Sequence, residues 1–89
     1  MKWRIRLDIL GSKIEDEYVI LSMEGGHYYT LDPVASSIWE LLNDHPASTE
    51  ELTDILTDEY DVSREQCMTD VQSFIDEMAS NKLIEGVSD

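Results

Sequence analysis

Cations are scarce in this chain. Six lysines and arginines stand against twenty aspartates and glutamates, a formal net charge of −14 over 89 residues. A surface of that sign repels phosphate backbones and anionic lipid, and it favours cationic or apolar partner segments. Cysteine is scarcer still. Cys67 stands alone, so no intramolecular disulfide can form, which fits a reducing cytosol and predicts a cytoplasmic protein. No apolar run approaches the length of a membrane span, so no membrane partner is expected. The basic start Met1-Lys2-Trp3-Arg4 has no apolar stretch behind it of the kind a signal peptide needs.

Clustered ligands are also missing. His27, His45 and Cys67 sit far apart with no paired spacing, and the acids follow no calcium-loop pattern. His45 reads as a surface residue of a proline loop and Cys67 as a small core residue. No nucleophile stands beside a base, and a domain this small has little room for a deep cleft lined by tuned carboxylates. The chain holds no Asp-Ser pair, the attachment signal of small acidic acyl carriers. These absences predict a protein that is not an enzyme and holds neither metal nor cofactor.

What is present divides into a front of strands and a rear of helices, read as a single domain over 1–89. Trp3, Ile5, Leu7 and Ile9 alternate with Arg4, Arg6 and Asp8, the period of a strand over 3–9 with one buried face. Gly11-Ser12 breaks it, and Lys13 to Asp16 reads as a polar connection. A second strand covers 17–23. It is more continuously apolar, so partial cover on both faces is expected. Gly25-Gly26 supplies the positive φ angles of a tight hairpin turn into a third strand, 27–31, rich in Tyr and Thr. Asp32-Pro33 then starts a helix: Asp caps free N–H groups, and Pro at the first helical position loses no hydrogen bond.

Three helices follow. Val34, Ala35, Ile38, Leu41 and Leu42 form the stripe of a helix over 33–43, with Trp39 at its margin. Ser48 and Glu51 form a capping box that opens a helix over 48–60. Ser63 and Gln66 open a third over 63–81, with Cys67, Val71, Phe74, Ile75 and Met78 as its stripe. Lys82-Leu83-Ile84 packs back as an extended tail, and 86–89 are expected to fray. The fold class is therefore α+β, a three-stranded antiparallel sheet followed by three helices in a winged helix-turn-helix-like outline.

That outline suggests DNA, but the charge opposes it. The third helix would enter the major groove carrying Arg64 against Glu65, Asp70, Asp76 and Glu77. A peptide suits it better. An edge strand offers unpaired N–H and C=O groups, and an extended segment can add to it as one more strand. The strand 27–31 is the candidate edge, unless the chain's own tail or a second copy covers it.

The residues assembled here resemble the PqqD family. The resemblance rests on Tyr28-Tyr-Thr-Leu-Asp-Pro-Val-Ala-Ser-Ser-Ile-Trp-Glu-Leu-Leu42, Ser48-Thr-Glu-Glu-Leu-Thr-Asp-Ile-Leu56, Tyr60-Asp-Val62, and Asp70-Val-Gln-Ser-Phe-Ile75 with Leu83-Ile84. It covers about residues 18–85, and the first seventeen match little. With Ile38-Trp39-Glu40, the acidic stand-alone form is most similar to the leader-binding proteins of lasso-peptide pathways. Attachment to a radical-SAM or pyrroloquinoline-quinone pathway is the nearest alternative.

The resemblance implies a recognition element for the leader segment of a ribosomally made precursor peptide. The leader would pair with the strand 27–31 and lie in a groove against the third helix. The chain would not catalyse; it would hand the precursor to a modifying enzyme, in the lasso case a leader-removing cysteine protease. A homodimer through the same edge stays open. The backbone of His27, Tyr28, Tyr29, Thr30 and Leu31 would supply the ladder. On that strand His27, Tyr29 and Leu31 share one face and Tyr28 and Thr30 the other, with the Leu31 face expected to be core. At 100° per residue, Cys67 and Phe74 lie along one margin of the third helix's stripe, with Asp70 and Glu77 just outside it. If this margin faces the groove, Phe74 floors an apolar pocket, and Asp70 and Glu77 hold a Lys, Arg or hydroxyl of the leader.

Overall fold

The computed structural model describes residues 1–23 and 26–88. Along them run β1 (Lys2–Ile5), β2 (Ile9–Ile14), β3 (Glu17–Ser22), β4 (His27–Thr30), α1 (Pro33–Asp44), α2 (Thr49–Glu59), α3 (Arg64–Ser80) and β5 (Ile84–Val87). β2, β3 and β4 form one antiparallel sheet in that order, and β1 pairs with β5 in a separate antiparallel pair. A three-stranded antiparallel sheet with three helices is the α+β architecture expected.

The front of the chain is built differently from the expectation. The segment 3–9 is not one strand. β1 ends at Ile5, the chain turns, and Ile9 opens β2, its N–H reaching back to the Arg6 carbonyl at 3.2 Å. Leu7 is 99% exposed at that turn, while Trp3 and Ile5 are partly buried against the core. The expected connection over 13–16 is also partly strand. Lys13 and Ile14 belong to β2, and the turn is made by Glu15 and Asp16, with Glu15 at φ 59. Gly11 does not break a strand but sits inside one. A Cβ there would lie 2.8 Å from Trp39 Nε1, so glycine lets the sheet close onto the indole. Trp39 is accordingly buried, not marginal.

The hairpin from β3 to β4 has Gly26 at φ 67, as a tight turn requires. Gly25, the other residue of the expected turn, lies outside the described residues, as do Glu24 and Asp89. Gly86 and Val87, expected to fray, instead pair with Trp3 and Lys2.

The helices start where their caps place them. Asp32 Oδ1 accepts the Ala35 N–H at 2.8 Å, and Pro33 opens α1. Ser48 and Glu51 bond reciprocally at 3.1 Å, and the Ser48 N–H holds the Glu51 carboxyl below its ordinary pKa. Ser63 Oγ accepts the Gln66 N–H at 3.2 Å. Each helix buries one stripe. Ile38 and Trp39 of α1, Leu52 and Leu56 of α2, and Val71 and Ile75 of α3 meet Ile20 of β3 and Leu83 in one core. Among the described residues no helix is long and apolar enough to cross a membrane.

Candidate functional site

β4 is the outer strand of its sheet, and the chain's own tail pairs with β1 instead. The register shows which main-chain groups β4 leaves open. Thr30 lies opposite Val19, Tyr29 opposite Ile20 and Tyr28 opposite Leu21. One step on, the Leu31 N–H donates to the Tyr18 carbonyl at 2.9 Å. In an antiparallel ladder, bonding to the neighbour alternates residue by residue. Leu31, Tyr29 and His27 therefore bond inward, while Tyr28 and Thr30 direct their N–H and C=O groups to the open edge.

A buried hydroxyl fixes the end of this strand. Ser36 Oγ accepts the Tyr18 N–H at 3.0 Å and donates to the Leu31 carbonyl at 3.2 Å. It bridges two backbone groups that the ladder no longer joins directly. Ser36→Ala should strip both of their partner and lower stability by about 1–3 kcal/mol, read by chemical denaturation. An unchanged midpoint would show that the bridge carries no weight.

Beside the strand end lies a cavity of about 460 Å³ between the β4–α1 junction and α3. Thr30, Leu31 and Asp32 form one wall, and Asp70, Ser73, Phe74 and Glu77 the other. α3 buries Cys67, Val71, Phe74, Ile75 and Met78 in the core, and Asp70, Ser73 and Glu77 on the adjoining side of the same helix line the cavity. Phe74 has both roles that the sequence left open. It is only 9% exposed, a member of the core cluster, and it also lines the cavity. Asp70 and Glu77 are exposed carboxylates on the same wall, and Asp70 accepts a hydrogen bond from Gln66 Nε2 at 3.0 Å. Lys2, Arg4, Arg6, Lys13 and Arg64 pair with other carboxylates (Glu51, Glu85, Asp8, Glu40 and Asp54), and the cavity lining holds Asp32, Asp70 and Glu77 with no lysine or arginine among them, so its sign is negative.

The structure brings together Thr30, Leu31, Asp70, Phe74 and Glu77 of the residues singled out from sequence. His27, Tyr28 and Tyr29 lie further along β4, outside this cavity. Tyr29 and Leu31 face the core, and Tyr28 faces away from it at 72% exposed. Cys67 is not in the groove. It lines a smaller neighbouring cavity, and burial together with the Asp70 charge pushes its thiol pKa up, the opposite of what a nucleophile needs. Sequence reasoning missed Ser73, Val34 and Met78, which also line the groove. Ser73 lies about 100° from Phe74 on the wheel but one turn from Glu77, on the polar side of the groove margin, so only its neighbourhood to Glu77 carried a signal for it.

The sheet has a second open feature. Leu10 lies opposite Leu21, and Leu21 opposite Tyr28, on the face turned away from the helices. They are 55%, 38% and 72% exposed, while Val19 on the same face of β3 is partly buried, so this face is covered in part, and less fully than the Ile20 face.

A family model described as coenzyme PQQ synthesis protein D (PqqD) matches residues 17–84. The chain belongs to the PqqD family. No curated protein sequence matches this PqqD-family chain significantly. Two solved structures do. TbiB1 in complex with the TbiA(beta) leader peptide is 35% identical, with 97% of this chain and 99% of that one covered and a TM-score of 0.88. A lasso peptide synthetase B1 complexed with the leader peptide is 25% identical, with 97% and 100% covered and a TM-score of 0.83.

Proposed function

We propose that this chain recognises the leader segment of a ribosomally made precursor peptide by taking it as an added strand on β4. The observation that carries this reading is the open edge of β4 running into the groove under α3. The open N–H and C=O groups of Tyr28 and Thr30 offer the ladder, and the groove offers Phe74 as an apolar floor between acidic walls. Two or three apolar anchors at ~1.5–3 kcal/mol each give roughly 5–8 kcal/mol, and strand hydrogen bonds offset the cost of ordering a flexible segment, so binding near the ~8 kcal/mol of a micromolar complex is expected.

The chain acts by holding the precursor, without catalysing a step itself, and passes it to a processing enzyme. A lasso-type leader protease is the favoured partner. Both leader-peptide complexes cover nearly the whole chain, including the front that the family model leaves out. The open apolar row Leu10–Leu21–Tyr28 is a surface on which such an enzyme can dock. A second copy could also pair through β4, but a charge of −14 on each copy opposes its approach. The lone buried thiol of Cys67 suits a reducing cytosol.

Titration of a fluorescein-labelled leader peptide by anisotropy tests the reading. A leader should bind at micromolar concentrations or below, and a labelled DNA duplex should not. Binding of the duplex without the leader would contradict it. Asp70→Asn should weaken a leader that carries a basic residue and flatten the dependence of its affinity on salt, since one carboxylate leaves the wall. An unchanged salt slope would remove charge from the account of the groove.

A further inference from the structure

A second cavity adjoins the groove. It has a volume of about 70 Å³ and lies between the start of α1 and the turn from α2 to α3. Val34 and Asp70 line both cavities, so the two share a wall. The rest of the lining is Leu56, Tyr60, Val62, Cys67 and Val71. Its polar groups are engaged: the Tyr60 hydroxyl bonds Ser37 Oγ at 2.8 Å, and Cys67 Sγ lies 3.9 Å from the Thr53 carbonyl. The pocket therefore offers apolar surface, with Asp70 at the shared wall. Its rim is open, with Val34 41% and Val62 47% exposed.

We infer that this cavity is a second anchor point for the leader and takes one branched aliphatic side chain, Val, Leu or Ile. The inference rests on the leader-binding reading above. Continuity of the wall selects the occupant. The groove follows α3 from Met78 to Asp70, and the second cavity continues from Val71 to Cys67. A peptide lying along the groove meets this mouth next. From Phe74 to Cys67 the helix rises ~10 Å, which an extended peptide covers in about three residues. Size selects the side chain. A cavity of ~150 Å³ holds a benzene ring, so about half that volume fits a branched aliphatic group and excludes an aromatic ring.

The test is a random peptide display library selected against the wild-type protein, with single binders then measured by fluorescence anisotropy. Binders should share a Val, Leu or Ile about three positions from their main apolar anchor. Replacing that residue by Ala should weaken binding roughly 10- to 100-fold. Val62→Trp fills the mouth from an exposed position. Against it the aliphatic preference should vanish, and the Ala replacement should change nothing. Cys67→Ala deepens the pocket and should shift the preference toward Met or Phe; it decides the matter if circular dichroism finds Val62→Trp unfolded. Binders lost on Thr30→Pro but indifferent to both pocket variants overturn the second anchor and leave strand addition standing. Binders that survive Thr30→Pro overturn strand addition and the anchor with it.

Discussion

Thr30→Pro is expected to reduce leader affinity by at least about 30-fold, a loss of ~2 kcal/mol or more, while the helices stay folded. The asymmetry comes from the ladder. Thr30 lies opposite Val19 in a pair that does not exchange hydrogen bonds, so its N–H faces the open edge. Proline removes that donor and sets its ring where a guest strand must approach. The inward bonds of Leu31 and Tyr29 are untouched. Tyr29→Pro is the matched control, because it removes a bond to β3 and should unfold the hairpin itself. Far-ultraviolet circular dichroism read beside anisotropy separates the two. Normal leader binding by a folded Thr30→Pro variant would mean that the guest does not pair at this position.

The second large effect is at Phe74. Truncation to Ala removes a residue that is both core and groove floor. Phe→Ala in a core costs ~3–5 kcal/mol, a large share of the ~4–13 kcal/mol expected of a domain this size. Phe74→Ala should therefore lower the melting temperature steeply and weaken binding at once. Phe74→Leu isolates the second effect. It keeps most of the buried volume but withdraws the ring from the floor of the groove, and leader affinity should fall about tenfold with a much smaller loss of stability. If Phe74→Leu binds the leader as wild type does, the ring is core alone.

The rear of the chain was legible in the sequence because its signals are chemical and local. Asp32-Pro33, the Ser48–Glu51 box and Ser63 each satisfy free N–H groups, and the helices begin there. The front was less legible because its signals depend on partners. Apolar alternation from Trp3 to Ile9 continues through a turn, and nothing in a period of two tells which strand each half will join. Glu15 makes a turn at positive φ without the glycine or asparagine that marks one, while Gly11 marks a close approach to Trp39 rather than a break. The site divides in the same way. The wheel of α3 placed Asp70, Phe74 and Glu77 on one margin, and the structure sets that margin against Thr30 and Leu31. Cys67 shares the wheel position but not the surroundings. The start of α1 and the α2–α3 turn close around it, and only the tertiary arrangement reveals that.

Backbone amide hydrogen exchange, resolved by residue, tests the central claim most directly. In the free protein the amides of Tyr28 and Thr30 should exchange fast, while those of Tyr29 and Leu31 are protected by β3. Saturation with leader peptide should slow Tyr28 and Thr30 and leave their neighbours little changed. Exchange at Tyr28 and Thr30 that stays fast in the saturated complex would contradict the account, because the guest would then be held somewhere other than the open edge of β4.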